Sequence, residues 1–442
     1  MKIFSITQGW FLLSLLVFLS ACQRRASNIQ QYSQGILYTE TAQVKSDTKF
    51  KVAANRYNTG NRYLSVKVLS VQQKDLKVQV AWDASWRDQE NHDAAWLLVK
   101  AKDQQGVWHH VKVLQATNEV NTSGKIQQNI PGFRIPKDKR GVFVYRAKQG
   151  EGNNDWRVHL RVQVPANVSF TAYQVFGLEM VYVPTGSFEL GTLKGTTARD
   201  EVLTRGAGGA PYNPFFTYKQ NARDSYGGVF KVTSESPIDI GKQEGNLYWV
   251  DANIPGTNTF SGIPEGQLSA DFPKGFRGFY TMKYELSQQQ YCDFLNTLSP
   301  RQQKVRDITS VREFNRPIKD YRNLIQYKSG KFATNRPLRP CNFLSWLDGQ
   351  AYADWAGLRH MTELEFEKAC RGPKKAIYRE YVWGVNEIKQ PKNMVFCAKV
   401  LNPDGSFNQN ELGQERTNGN IHASMFSYFN IEDVCKPSGR YY

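Results

Sequence analysis

Apolar residues recur at every second position through much of the first part of the chain. Leu76, Val78, Val80 and Trp82 alternate with Lys77, Gln79 and Ala81. Trp156, Val158, Leu160, Val162 and Val164 alternate with Arg157, His159, Arg161 and Gln163. A period of two buries one face of a strand and wets the other. Further strands are expected at 63–71, 96–100, 107–114 and 142–145, with turn signals such as Gln105-Gly106 and Gly150-Glu151-Gly152-Asn153 between them. No long helical period interrupts these runs. An antiparallel β-sandwich over residues 51–168 is the simplest way to close them.

Beyond Phe176 the period changes. A strand, a Pro/Gly turn and a second strand are expected across 179–191. Ser287 stands as a helix N-cap ahead of Tyr291, Phe294, Leu295 and Leu298, which fall at i, i+3, i+4 and i+7 and predict one buried helical stripe. Ser345 with Asp348, and Thr362 with Glu365, have capping spacing for two more helices, which Gly357 and Gly372-Pro373 would stop. Between these stretches, residues 193–273 are rich in Gly, Asn, Ser and Pro and are expected to be an inserted loop, flexible or ordered by a partner. Gly206 to Gly209 lack the Lys-Ser/Thr of a phosphate-cradling loop.

The first residues address a membrane. Lys2 precedes a run of about ten mostly apolar residues from Trp10 to Leu19, too short to span a bilayer and suited to a secretory signal. Leu19-Ser20-Ala21-Cys22 follows directly and resembles a bacterial lipobox. Residues 1–21 are therefore expected to be removed and Cys22 acylated; an ordinary signal with a chance cysteine is the competing explanation. Gln23 follows Cys22 where an Asp would signal retention elsewhere, so an outer-membrane position is expected, with the periplasmic face favoured over the surface. Residues 22–50, rich in Ser, Gln and Thr, read as a flexible tether.

Composition sharpens this picture. The 442 residues carry a formal net charge of +17, and residues 22–175 hold 23 Lys and Arg against 12 Asp and Glu. The excess cation sits in the membrane-proximal domain, where anionic lipid or an acidic partner would feel it, although a merely solvated surface has the same composition. Nucleic acid is not expected as a partner, because no nucleic-acid module is visible. Trp82, Trp86 and Trp96 fall within fifteen residues of one another and are a candidate ligand or partner surface, sugar rings included; clustered Trp also serve as core anchors. His109 and His110 are adjacent on a strand, point to opposite faces, and so do not jointly chelate an ion. No zinc-type spacing occurs, and no metal or other cofactor is expected.

Four blocks, in order, carry a family likeness: Glu179-Met180-Val181-Tyr182-Val183-Pro184-Thr185-Gly186-Ser187-Phe188-Glu189-Leu190-Gly191; Phe279-Tyr280-Thr281-Met282-Lys283-Tyr284-Glu285-Leu286; Asn342-Phe343-Leu344-Ser345-Trp346 with Ala351-Tyr352-Ala353-Asp354-Trp355-Ala356-Gly357; and Arg359-His360-Met361-Thr362-Glu363-Leu364-Glu365-Phe366-Glu367-Lys368-Ala369. Tyr381-Val382-Trp383-Gly384 follows. The set resembles the formylglycine-generating enzyme, or sulfatase-modifying factor, domain, and the wider sequence resembles a Bacteroidetes-type lipoprotein branch that includes gliding-motility and type 9 secretion lipoproteins. The resemblance implies an α+β, C-type-lectin-related fold over 176–442. It also implies a test for chemistry, since formylglycine-generating enzymes use a late pair of cysteines, five positions apart, to bind Cu(I) and activate O₂.

Here Cys292, Cys341, Cys370, Cys397 and Cys435 include no such pair, and only 58 residues follow Gly384. The domain is accordingly expected to be C-terminally truncated, either degenerate or completed by a partner, and to have no catalytic residues. Cys341 precedes one helix and Cys370 ends the next, so a disulfide between them and two free thiols are both open. The function expected is a non-catalytic outer-membrane lipoprotein, a scaffold or binding subunit of a cell-envelope assembly. A glycan-binding lipoprotein is the alternative, and a copper-dependent oxidase ranks behind it.

Overall fold

The computed structural model describes residues 42–43, 64–119, 129–165, 168–191, 193, 215–220, 227–249, 265–313, 316–317, 323–335, 337 and 339–378. The leader, Cys22, most of the tether, Tyr381 to Gly384, Cys397 and Cys435 lie outside the described residues.

The alternating segments form long strands. β1 (Ala42–Gln43), β2 (Ser65–Gln72), β3 (Asp75–Arg87), β4 (His92–Asp103), β5 (Trp108–Asn118), β6 (Pro131–Arg134), β7 (Val142–Arg146), β8 (Gly150–Gln163) and β9 (Phe170–Val183) join one ten-stranded sheet. Its main path runs β1-β9-β4-β5-β8-β3-β2, with β7 also on β4 and β6 on β7. The two ends of that path approach each other: the position of Gly177 on β9 lies against the side chains of Val66 and Leu64. The strands thus curl as one sheet around a shared core of Val78, Val80, Leu97, Val99, Val158 and Leu160. The expectation of a separate N-terminal sandwich is not confirmed: hydrogen bonding continues from strand to strand within one sheet.

The expected boundary between 168 and 176 is corrected. β9 runs through it and pairs antiparallel with β4 from His92↔Tyr182 to Asp103↔Phe170. The block from Glu179 to Gly191 supplies the end of β9 and β10 (Phe188–Leu190), and the next supplies β16 (Phe279–Met282), which lies on β9. The N-terminal strands and the C-terminal region therefore share one sheet.

β4 is buried along almost its whole length. Ala95, Leu97 and Val99 face the first core, while Ala94, Trp96 and Leu98 face a second. That second core is closed by α1 (Gln288–Asn296), which brings Tyr291, Phe294 and Leu295, and by α3 (Trp346–Trp355), which brings Tyr352 and Trp355. Between them lies α2 (Pro300–Arg306). The expected helical stripe is thus present. So are the expected caps: Ser287, Ser345 and Thr362 each close a capping box, and Gly357 takes φ +69° one residue beyond the cap of α3.

The insertion is more ordered than its composition suggests. β11 (Phe215–Thr217), β12 (Phe230–Val232), β13 (Ile238–Ile240), β14 (Leu247–Trp249) and β15 (Gly266–Leu268) lie within it. Four of them form a small sheet, β11-β14-β13-β15, and β12 pairs with β10. Phe188, Leu190, Val232 and Leu247 pack with Leu364 of α4 (Glu363–Arg371) as a third core. Two hairpins, β17–β18 (Arg312–Glu313 and Arg316–Pro317) and β19–β20 (Gln326–Lys328 and Lys331–Ala333), complete the described elements. The result is β-rich with few helices. No helix among the described residues is long and apolar enough to cross a membrane.

Candidate functional site

The three tryptophans proposed as a binding surface are interior. Trp82 and Trp96 are each 1% exposed and Trp86 is 7% exposed. Trp82 meets Trp156 edge-on at 5.2 Å and donates its indole N–H to Asp93 Oδ2 at 2.9 Å. Trp96 donates to the carbonyl of Ala356 at 2.8 Å. A sugar ring has no access to such faces, so the Trp82–Trp86–Trp96 surface is corrected to a set of core anchors.

Asp93 is the centre of a buried charge cluster. It also accepts from the Ser85 hydroxyl at 2.7 Å and the Trp86 backbone N–H at 3.2 Å. Lys283 Nζ lies 3.7 Å from Asp93 and 3.4 Å from Glu179, and Glu179 accepts the backbone N–H of Leu64 at 3.0 Å. Burial pushes both carboxyls up, against the pull of Lys283 and the donated hydrogen bonds. One cation against two carboxylates in the interior fixes the strands to each other, because a charge left there without its partner would be costly.

Of the two alternatives left open for Cys341 and Cys370, the structure has the free thiols. Cys341 packs at the margin of the second core beside Asn323, whereas Cys370 sits on α4, whose Leu364 belongs to the third. His109 Nε2 lies 2.6 Å from Asp103 Oδ2, and His110 Nε2 lies 2.6 Å from the carbonyl oxygen of Arg140.

Burial pushes the thiol of Cys341 up to about 12 and that of Cys292 higher still. Among the described residues no three His, Cys, Asp or Glu side chains converge on a point that could hold a metal.

Two buried cations on α4 reach far across the chain. Lys368 Nζ donates to the carbonyls of Pro184 and Gly275 at 2.6 Å each and of Phe276 at 3.2 Å. Arg371 donates to the carbonyls of Glu189 and Gly191 and pairs with Glu367. The Thr362 hydroxyl adds a bond to the carbonyl of Pro273, and Arg359 grips Glu365 with both terminal nitrogens at 2.7 and 2.6 Å. The block around α4 therefore acts as a clamp on the Pro184 to Gly191 turn and on the end of the insertion. Sequence reading found its cap and missed its cations, since a Lys or Arg on a helix ordinarily faces water.

A second group was also missed. Arg87, His92, Tyr182 and Tyr280 stand directly opposite one another across β3, β4, β9 and β16. His92 stacks on Tyr182 at 5.1 Å, leans on Tyr145 at 4.7 Å, and has Nε2 at 3.0 Å from the Tyr280 hydroxyl. Tyr280 stacks on Phe143 at 3.8 Å. The Arg87 guanidinium lies over Tyr145 at 5.2 Å and that of Arg134 over Tyr280 at 6.0 Å. His92, Tyr182 and Tyr280 lie roughly ninety to a hundred positions from one to the next along the chain, so no sequence spacing announces the group.

Residues 253–441 match the family described as the sulfatase-modifying factor enzyme 1-like domain. A formylglycine-generating enzyme of Thermomonospora curvata is 35% identical over 98 residues, which are 22% of this chain and 30% of the relative. The formylglycine-generating enzyme of Bos taurus is 35% identical over 92 residues, 21% of this chain and 23% of the relative. A hercynine oxygenase of Mycobacterium tuberculosis is 45% identical over 49 residues, 11% of this chain and 12% of the relative. The chain spans less than a third of the length of these curated relatives. No solved structure matches it.

Proposed function

We propose that the chain is a non-catalytic lipoprotein of the outer membrane, acylated at Cys22, that serves as a scaffold or binding subunit of a cell-envelope assembly of the secretion or gliding type. The reading is carried by one observation above all: β16, which lies within the matched residues 253–441, pairs with β9 of the sheet that the N-terminal strands build, so the two parts of the chain share one sheet. The lipobox Leu19-Ser20-Ala21-Cys22 and the basic balance of residues 22–175 add a membrane anchor and an electrostatic face for an acidic partner or anionic lipid. The relatives named as enzymes support a family origin, and the lack of two cysteines five positions apart in this sequence weighs against oxidase chemistry of that kind.

A tagged full-length chain, solubilised from membranes with mild detergent, should bring down a fixed set of envelope proteins. A Cys22→Ser chain should leave the membrane fraction and lose acyl labelling. Recovery of the chain alone, or formylglycine formation on a sulfatase cysteine peptide, would overturn the reading.

A further inference from the structure

We propose that Arg87 and Arg134, with Tyr145, Tyr182 and Tyr280 around His92, form a binding site for a phosphate group. The two arginines differ from others that serve the fold. Arg161 is paired with Asp75, Arg306 with Asp348, Arg359 with Glu365 and Arg371 with Glu367. Neither Arg87 nor Arg134 meets a carboxylate within 4.0 Å among the described residues, although each is held over an aromatic ring. Arg87 uses one N–H on the carbonyl of Arg146 at 3.0 Å, which leaves the rest of its fork for another acceptor. The adjacent Asp88 is turned into its own loop, where Oδ1 accepts the N–H groups of Glu90 and Asn91 at 2.7 Å each.

The rings are placed with some care. A Cβ at Gly132 would come within 2.7 Å of the Tyr145 ring, and one at Gly278 within 2.2 Å of the Tyr182 hydroxyl. Both positions need glycine for these tyrosines to lie where they do. His92 is pushed down to about 4, first by burial and then by Arg87 and Arg134, against an opposing pull from Asp88. Both guanidinium groups therefore bear on one ring, which adds no charge of its own at neutral pH. Arg87 and Arg134, each lying over a tyrosine ring, offer several N–H donors together. That suits the several oxygens of a phosphate, which arginine binds in bidentate fashion. The phosphate could be free, carried on a sugar, or part of a lipid headgroup.

The test is titration of the full-length chain in detergent by calorimetry, with inorganic phosphate, glucose 6-phosphate, glycerol 3-phosphate (the phosphate of a lipid headgroup) and glucose. At least one phosphate probe should bind saturably, and glucose should not. The Arg87→Gln/Arg134→Gln variant should weaken that binding at least about tenfold, the loss expected from charge-assisted hydrogen bonds. A charge-matched Lys74→Gln/Arg157→Gln control should change it by less than about threefold. Arg134→Gln alone, at an exposed position, serves if the double variant is unstable. The tightest probe identifies the source of the phosphate. Absence of saturable binding by every phosphate probe, or equal loss in the control, would overturn the proposal.

Discussion

Trp96 on β4 donates its indole N–H to the carbonyl of Ala356, 260 positions later, where α3 ends. The same strand sends Lys100 Nζ to the carbonyl of Trp355 at 2.7 Å. The join between the N-terminal sheet and the helices is thus part of the interior. Trp96→Ala should lower the unfolding free energy by about 3–5 kcal/mol, the usual cost of emptying a buried aromatic site. Guanidinium titration followed by fluorescence and by circular dichroism should show one coincident transition over the described body, in the variant as in the parent.

Lys368 holds three carbonyls from two distant turns. Lys368→Met keeps most of the side-chain volume and removes every donor. The orphaned carbonyls should cost about 3 kcal/mol or more. Proteolysis should then open the Pro184 to Gly191 turn before the strands of the main sheet. Cleavage at equal rates in parent and variant would contradict the clamp.

Stability should fall on mild acidification. His92 and His110 are both pushed down to about 4 from 6.5, chiefly by burial. Between those values the unfolded chain binds protons that the folded chain refuses, so the folded state loses ground as pH drops from about 6.5 toward 4. The loss from His92 should be about 2 kcal/mol. Chemical denaturation from pH 7 to pH 4 should show this slope, reduced in His92→Gln.

Iodoacetamide should leave Cys292 unlabelled in the native chain, since it is fully buried and its thiol is pushed far up. Unfolding should expose it. Peptide mapping without reductant should recover Cys341 and Cys370 in separate peptides.

The strands and helices were legible because their signals are local. Alternation located β3 and β8, and the cap residues Ser287, Ser345 and Thr362 started helices where they stand. The shared sheet was not legible. β9 binds β4 through backbone groups that carry no sequence mark, and Phe176 looked like a beginning when it is the middle of a strand. The tryptophans misled because an aromatic cluster looks the same in sequence whether it faces a ligand or a core. Trp82 gave one clue, an Asp eleven residues on that could take its N–H, but only folding brings Asp93 there. In the same way the Arg87–His92–Tyr182–Tyr280 row exists only once four strands are in register.

The two-sided burial of β4 has a consequence for how the chain comes to be folded. A chain made N-terminus first produces β4 early, and the first core can close around it once β8 and β9 follow. Its other face, with Trp96 and Leu98, must wait for Tyr291, Phe294 and Trp355. Contacts between residues this far apart form slowly, because the intervening loop must close first. During that interval an apolar stripe in the middle of a large sheet stands open.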